Sequence, residues 1–323
     1  MTRGGSSSCS HAIMAERFWT PLRLRALRHG LWVGAALAMI VTAAVVTGSR
    51  VGVDAHAYWA AWQHKGLYAI QPEHVDAYEY SPAFAQGVWP LAQLPWPAFC
   101  VLWLAAVLAA YLWLLAPLEL RWRLPLLVLC SPDIATGNVW SLFAIVLVLG
   151  LRWPALWAFP LLTKVTPVVG PVWFATRHEW RPLAIALGTT AGITAVSFAA
   201  APHLWGDWVR YVLHPDRAAS ASTAQLLPLL HPPTALFVAL AMPCSIVLTF
   251  VAAKRDRPWL LPIAMVAAMP FFTANAFAML TAIPRLRRAS TSLRPRPEDH
   301  YPVRVIEQDA RPGLGAEAVS GLL

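Results

Sequence analysis

The chain has 323 residues, of which 58% are hydrophobic and 13% charged, with a net charge of +9. Soluble domains carry about 25% charged residues, so this chain has too little polar material to clothe a soluble protein of its size. The apolar residues come in long blocks between short charged knots, which excludes an ordinary globular domain and reads as a chain threaded several times through a bilayer. A positive charge this large also raises nucleic acid as a partner. Here, however, the arginines sit in clusters between apolar blocks, where they mark cytoplasmic loops, and no nucleic-acid partner is expected.

Residues 1–30 read as a basic cytoplasmic tail that ends in Arg23-Leu24-Arg25-Ala26-Leu27-Arg28. The apolar stretch from Leu31 to Gly48 is long enough to span the hydrocarbon core. No small-x-small cleavage site follows it, so it is a first transmembrane helix and not a signal peptide. Residues 50–80 then fall outside the membrane. This segment sets Asp54, His56, Lys65, Glu73, His74, Asp76 and Glu79 among Tyr58, Trp59, Trp62, Tyr68, Tyr78 and Tyr80, a composition suited to the membrane interface. A short helix over 54–65 puts Asp54, Tyr58 and Trp62 on one face.

Residues 82–94 form a short, Pro-bounded block and 98–118 a full span. Residues 124–151 are broken at Ser131-Pro132-Asp133 and Gly137-Asn138 into two short crossings. Residues 153–176 read as a full span with Lys164 near its middle, ending at the knot Arg177-His178-Glu179-Trp180-Arg181. Residues 182–201 lead outward to a second large polar loop, 202–232, and 233–253 return to Lys254-Arg255-Asp256-Arg257. The block 258–284 is too short for two full spans, and a hairpin turning at Pro270 is expected. Residues 285–323 read as a disordered cytoplasmic tail. In this scheme Arg121-Trp122-Arg123 falls on the outer side, against the positive-inside rule. Residues 31–284 thus form one helical membrane domain with two larger outer loops.

Asp54, just beyond the first helix, has two compatible readings. It is a helix N-cap, or it is a general base within reach of an acceptor hydroxyl, with Tyr58 or Trp59 as a wall against which a sugar could stack. Lys164 is either a cation that holds a lipid phosphate or a snorkelling side chain. Pro160, Pro167 and Pro171 beside it can interrupt the helix and free backbone groups. Pro82 is a helix-start signal, and Tyr78 and Tyr80 before it fit an aromatic belt or a substrate site. His203, Asp207, Arg210, His214, Asp216, Arg217 and His231 make the second loop polar without singling out a role. Histidine spacing supports no metal site, and no nucleotide-binding or GxSxG motif occurs. Cys9, Cys100, Cys130 and Cys244 are far apart and read as small membrane-core residues without a redox or metal role.

The segment Val53-Asp54-Ala55-His56-Ala57-Tyr58-Trp59-Ala60-Ala61 resembles the first-loop signature of glycosyltransferase family 87, an Asp just after the first helix followed by a Tyr-containing run of small residues. The stretch from Tyr80-Ser81-Pro82-Ala83-Phe84 to Pro90-Leu91-Ala92-Gln93-Leu94-Pro95 resembles the family's Tyr-Pro-Pro block, with Ser81 where the first Pro is usual. Gly137-Asn138 and Lys164-Val165-Thr166-Pro167 fall where the family has comparable pairs, and the resemblance runs from residue 31 to about 255. It implies an all-α polytopic bundle of the GT-C type with about 8–10 membrane segments, in the cell membrane and with its active site on the extracytoplasmic face. The implied reaction moves a sugar, typically mannose, from a polyprenyl-phosphate donor to a lipid or glycan acceptor, with no cofactor. Under it Asp54 is the catalytic base, and Tyr58, Trp59, Tyr80, Lys164 and Arg210 bind substrate. The alternative is a transporter or flippase for a lipid-linked or small polar substrate, which also uses an intramembrane Lys and outer polar loops.

Overall fold

A computed structural model describes residues 20–63, 66–71, 74–163, 168–213, 234–268 and 274–292. The regular elements among the described residues are all helices, without a strand. The first helix, α1 (Pro21–Thr47), begins ten residues earlier than the apolar block does. Its start is set by Pro21 and by Thr20, whose side chain accepts from the Arg23 amide at 3.3 Å. Its 27 residues extend about 40 Å. After Gly52 comes α2 (Val53–Ala60), then α3 (Pro82–Ala92), α4 (Trp96–Leu115), α5 (Leu120–Leu129), α6 (Ser131–Thr136) and α7 (Trp140–Leu149). A 3-10 turn (Pro154–Trp157) leads into α8 (Ala158–Thr163), followed by α9 (Val169–Thr176), α10 (Trp180–Ala200), α11 (Pro202–Val212) and α12 (Thr234–Lys254). The chain closes with 3-10 turns at Pro258–Leu260 and Ala274–Ala282 around α13 (Leu261–Ala267), and then α14 (Ile283–Ser292). Three of these helices, α1, α4 and α10, are long and apolar enough to cross a membrane.

The directions of α1, α4, α5 and α6 follow from the pairs that lock them. Leu129 lies against Gly34, Thr42 Oγ1 and Ser131 Oγ are 2.6 Å apart, and the Gly52 amide donates to the Ala135 carbonyl at 2.7 Å. These pairs run α5 and α6 parallel to α1. In contrast, α4 runs antiparallel to them. It starts with Trp96 against Gly52, passes Gly137, whose carbonyl accepts from Trp103 Nε1 at 2.7 Å, and ends at Trp113 beside Arg285. Gly52 and Gly137 make these approaches possible. Both have positive φ (73° and 75°), and a Cβ on Gly52 would sit 2.8 Å from Cys100 Sγ, space that only glycine leaves open.

The bundle therefore has two different ends. One gathers α2, the Tyr-rich segment before α3, Asn138 and α11. The other gathers the basic knots. Arg123 donates to the Ala116 and Leu118 carbonyls at 2.6 and 2.8 Å, and Arg285 donates to the Trp113 carbonyl at 2.7 and 2.5 Å. The Arg287 guanidinium lies over the Trp259 ring at 4.7 Å. Arg177 pairs with Glu179 at 2.7 Å and with Asp256 at 2.8 Å.

Four expectations change. Arg121-Trp122-Arg123 belongs to the basic end, because α3 does not cross the bundle. Both halves of α3 are tied to the α2 segment, with Trp62 Nε1 donating to the Ala85 carbonyl at 3.0 Å and Gln63 Nε2 to that of Ala92 at 3.2 Å. The block 153–176 is not one helix: α8 and α9 are separate, with Pro154 and Pro171 each in the first turns of new elements. The loop 202–232 starts as a helix, α11, opened by Pro202. The tail placed at 285 is helical to Ser292, held by Arg285 and Arg288, the latter donating to the Pro117 carbonyl. The turn placed at Pro270 and the segments 1–19 and 293–323 lie outside the described residues. On either side of that turn, α13 packs against the 274–282 element.

Candidate active site

Asp54 is not the cap of α2. Gly52 occupies that position, and Asp54 stands one residue into the helix, in its first turn, where a carboxylate favours the helix dipole. Its side chain turns to a distant part of the chain. Asn138 Nδ2 donates to Asp54 Oδ2 at 3.1 Å, and Asn138 Oδ1 in turn accepts from the Val139 amide at 2.7 Å. The amide is thus held at both ends, at the foot of α7. Gly137 makes the approach possible: a Cβ there would lie 2.9 Å from both Ala55 Cβ and Leu104 Cδ2. Among the described residues, Asp54 Oδ1 accepts no hydrogen bond.

One turn along α2, Tyr58 is 1% exposed. Its hydroxyl lies 3.1 Å from that of Tyr80, and the rings meet edge to face at 5.2 Å. Burial raises both phenol pKa values, and the neighbouring Asp54 carboxylate raises them further. Both groups are therefore neutral hydroxyls that can donate. Tyr80 is fixed by the residues around it. Its carbonyl accepts from Tyr68 Oη at 2.8 Å, and Tyr78 Oη donates to the Ser81 carbonyl at 3.1 Å. Ser81 caps α3 and donates to the Leu162 carbonyl at the end of α8. A second tie holds the same segment: His56 Nδ1 lies 2.5 Å from Asp76 Oδ1.

Of the six candidate residues, Asp54, Tyr58 and Tyr80 come together. Trp59 is on the neighbouring face of α2, and its indole is committed to the Leu94 carbonyl at 2.8 Å, beside His56 and Trp96. Arg210 sits on α11, paired with Asp207 and 80% exposed. It lines a separate cavity of about 370 Å³ with Tyr68, Gln71, Asp207 and Tyr211. Lys164 lies outside the described residues.

Three residues here were not singled out from sequence. Asn138 was visible as part of a helix break and of the Gly137-Asn138 pair in the family resemblance, without a role of its own. Asp133, 2% exposed, accepts from Tyr111 Oη, and its charge is felt at Tyr58 and Tyr80. The signal for it was an Asp inside an apolar block, which is costly unless partnered. Tyr68 carries no local signal beyond its aromatic neighbourhood.

A carboxylate beside two phenols, at the end of a helical bundle away from Arg123, Arg177, Arg285 and Arg288, suits transfer to a hydroxyl. The family model of glycosyltransferase family 87 matches residues 78–293. The chain belongs to glycosyltransferase family 87. It is an all-α membrane glycosyltransferase. The matched segment includes Tyr80, Asn138, Arg210 and α14, and it begins after Asp54 and Tyr58. No curated protein and no solved structure matches the chain.

Proposed function

We propose that this glycosyltransferase moves a sugar, mannose in our reading, from a polyprenyl-phosphate donor to a lipid or glycan acceptor at the outer face of the cell membrane. The observation that carries the proposal is the Asp54 carboxylate, held by Asn138 through one oxygen and backed by the Tyr58–Tyr80 hydroxyl pair. It stands at the end of the bundle away from Arg123, Arg177, Arg285 and Arg288. Cytoplasmic loops are enriched in Lys and Arg, so a multi-pass chain in this orientation puts Asp54 on the extracytoplasmic side. The catalytic domain in this reading is residues 31–284, within described helices that run from Pro21 to Ser292.

In the proposed reaction Asp54 Oδ1 takes the proton of the acceptor hydroxyl. The acceptor oxygen forms its bond to the anomeric carbon from the face opposite the leaving group, so configuration inverts. The bond from the anomeric carbon to the phosphate oxygen breaks, and polyprenyl phosphate leaves with the electron pair. Lys164 supplies the positive charge for that phosphate without a metal ion. It follows Thr163, the last residue of α8, whose neighbouring Leu162 carbonyl is bound by Ser81. Tyr58 and Tyr80 orient the sugar hydroxyls.

Purified protein incubated with a radiolabelled polyprenyl-phosphate sugar and a lipid acceptor tests this reading. It predicts a new glycosidic product. A protein that moves the labelled lipid across a vesicle bilayer without forming that bond is a transporter, and the reading is then wrong.

A further inference from the structure

The cavity of about 370 Å³ beside the Tyr cluster has no role in the reaction as drawn above. Its volume is at the small end of the roughly 300–1,000 Å³ of ligand pockets. Two tyrosines form one side, Tyr68 from the segment before α3 and Tyr211 from α11, with ring centroids 5.3 Å apart and planes tilted by 43°. Gln71, Asp207 and Arg210 supply polar groups around them. The cavity is coupled to the candidate active site through Tyr68, whose Oη donates to the Tyr80 carbonyl at 2.8 Å while Tyr80 Oη meets Tyr58 Oη.

The charges argue against an anion. Arg210 is neutralised by Asp207, three residues away on the same helix, and a phosphate entering here would meet the Asp207 carboxylate as well as the guanidinium. A neutral polyhydroxylated ring fits better. Its C–H face can lie on a tyrosine face, where the ring carries negative charge. Its hydroxyls can donate to Asp207 and accept from Arg210 in charge-assisted hydrogen bonds, and accept from the neutral Gln71 amide. Such a ligand needs both members of the ion pair, and so explains why an acid and a base stand together at the mouth of a small aromatic cavity.

We propose that the Tyr68–Tyr211 cavity is a subsite for one saccharide ring of the acceptor, gripped by Asp207 and Arg210, which leaves Arg210 with no part in holding the donor phosphate. The proposal rests on the glycosyltransferase reading of the Asp54 group and deepens it. A ring held beside Tyr68 lies next to the backbone of Tyr80, so the subsite sets which acceptors present a hydroxyl to Asp54.

Binding can be read without turnover. Saturation-transfer NMR on the full-length detergent-solubilised protein, with methyl α-mannoside, methyl α-glucoside, methyl β-galactoside and inorganic phosphate as separate probes, measures which of them associates. The expected result is binding of at least one methyl glycoside and none of phosphate. Asp207→Ala weakens the glycoside at least tenfold, and Arg287→Gln, at the opposite end of the bundle against Trp259, leaves it unchanged. Asp207 is on the surface side of α11, and a thermal melt matching the wild type establishes that Asp207→Ala folds. Arg210→Ala, at an exposed position, serves as the second variant with the same expected loss. The proposal is overturned if no glycoside binds, if phosphate binds there instead, if both variants keep wild-type affinity, or if Arg287→Gln abolishes binding. Loss of sugar transfer in Asp54→Asn is a separate readout, so failure of the subsite and failure of the base assignment are distinguishable.

Discussion

Asn138 Nδ2 and Asp54 Oδ2 are 3.1 Å apart across 84 residues of sequence. This contact joins the start of α2 to the start of α7, and it depends on a glycine between them and on an amide that is itself anchored by the Val139 N–H. The base is therefore positioned by the bundle, since α2 alone is a helix of 8 residues.

Asn138→Ala removes the donor and leaves the carboxylate free to rotate. Misplacing a catalytic group by about 1 Å can cost on the order of 100-fold, so kcat is expected to fall between about 10- and 100-fold with donor KM unchanged. Asn138→Asp sets a like charge beside Asp54 and is expected to be worse than Ala. Steady-state kinetics of the two variants check both statements. Equal activity in Asn138→Asp and wild type would show that the amide does not position the base.

Gly137→Ala is expected to destabilise the protein by about 1–3 kcal/mol, through backbone strain and overpacking. The new methyl group would lie 2.9 Å from Ala55 Cβ and Leu104 Cδ2, on a backbone with φ of 75°. The push on Ala55 falls on the residue next to Asp54, so activity is expected to drop even where the variant is folded. Thermal unfolding and transfer assays on one preparation separate the two effects.

The buried phenols give a pH signature. Burial, reinforced by Asp54, raises the Tyr58 and Tyr80 pKa values above 10. Above pH 10 the unfolded chain releases these protons while the folded chain keeps them, so the unfolded state binds fewer protons and stability falls as pH rises. Denaturation midpoints are expected to be insensitive to these groups below pH 10 and to decline above it. Tyr58→Phe should flatten that decline. An unchanged alkaline slope in the variant would contradict the buried, neutral phenol.

At the basic end, Arg285 stacks on Trp113 at 3.6 Å and donates twice to its carbonyl. Removing it in Arg285→Gln is expected to cost about 1–3 kcal/mol through the lost cation–π contact and charge-assisted bonds. The α14 segment should then become accessible to limited proteolysis, while donor and acceptor KM stay as in the wild type.

Much of the site could be read from residues. Asp54 and Tyr58 share a face because they are four apart on a helix, Ser81-Pro82 starts a helix where Pro fits the first turn, and Gly137-Asn138 interrupts one. Local chemistry decides each of these. What could not be read is long-range: that the break at Gly137 returns to Asp54, that Tyr111 meets Asp133, and that Tyr68 of one loop meets Tyr211 of another. The outward placement of Arg121 and Arg123 came from counting apolar blocks. Block counting cannot distinguish a crossing helix from one such as α3, which lies at one end of the bundle and is tied there by Trp62 and Gln63. The expected full span at 153–176 shows the same limit, since apolar composition persists across Pro154 and Pro171, each of which stands in the first turn of a new element.

The central claim is that Asp54 takes the acceptor proton. The most direct test compares sugar transfer from a labelled polyprenyl-phosphate sugar by wild type, Asp54→Asn and Asp54→Glu, each with a melting temperature matching the wild type. General-base catalysis contributes about 100- to 10,000-fold. The account predicts a loss of that size in Asp54→Asn, partial activity in Asp54→Glu and unchanged donor affinity in both. Transfer by Asp54→Asn at the wild-type rate would contradict it.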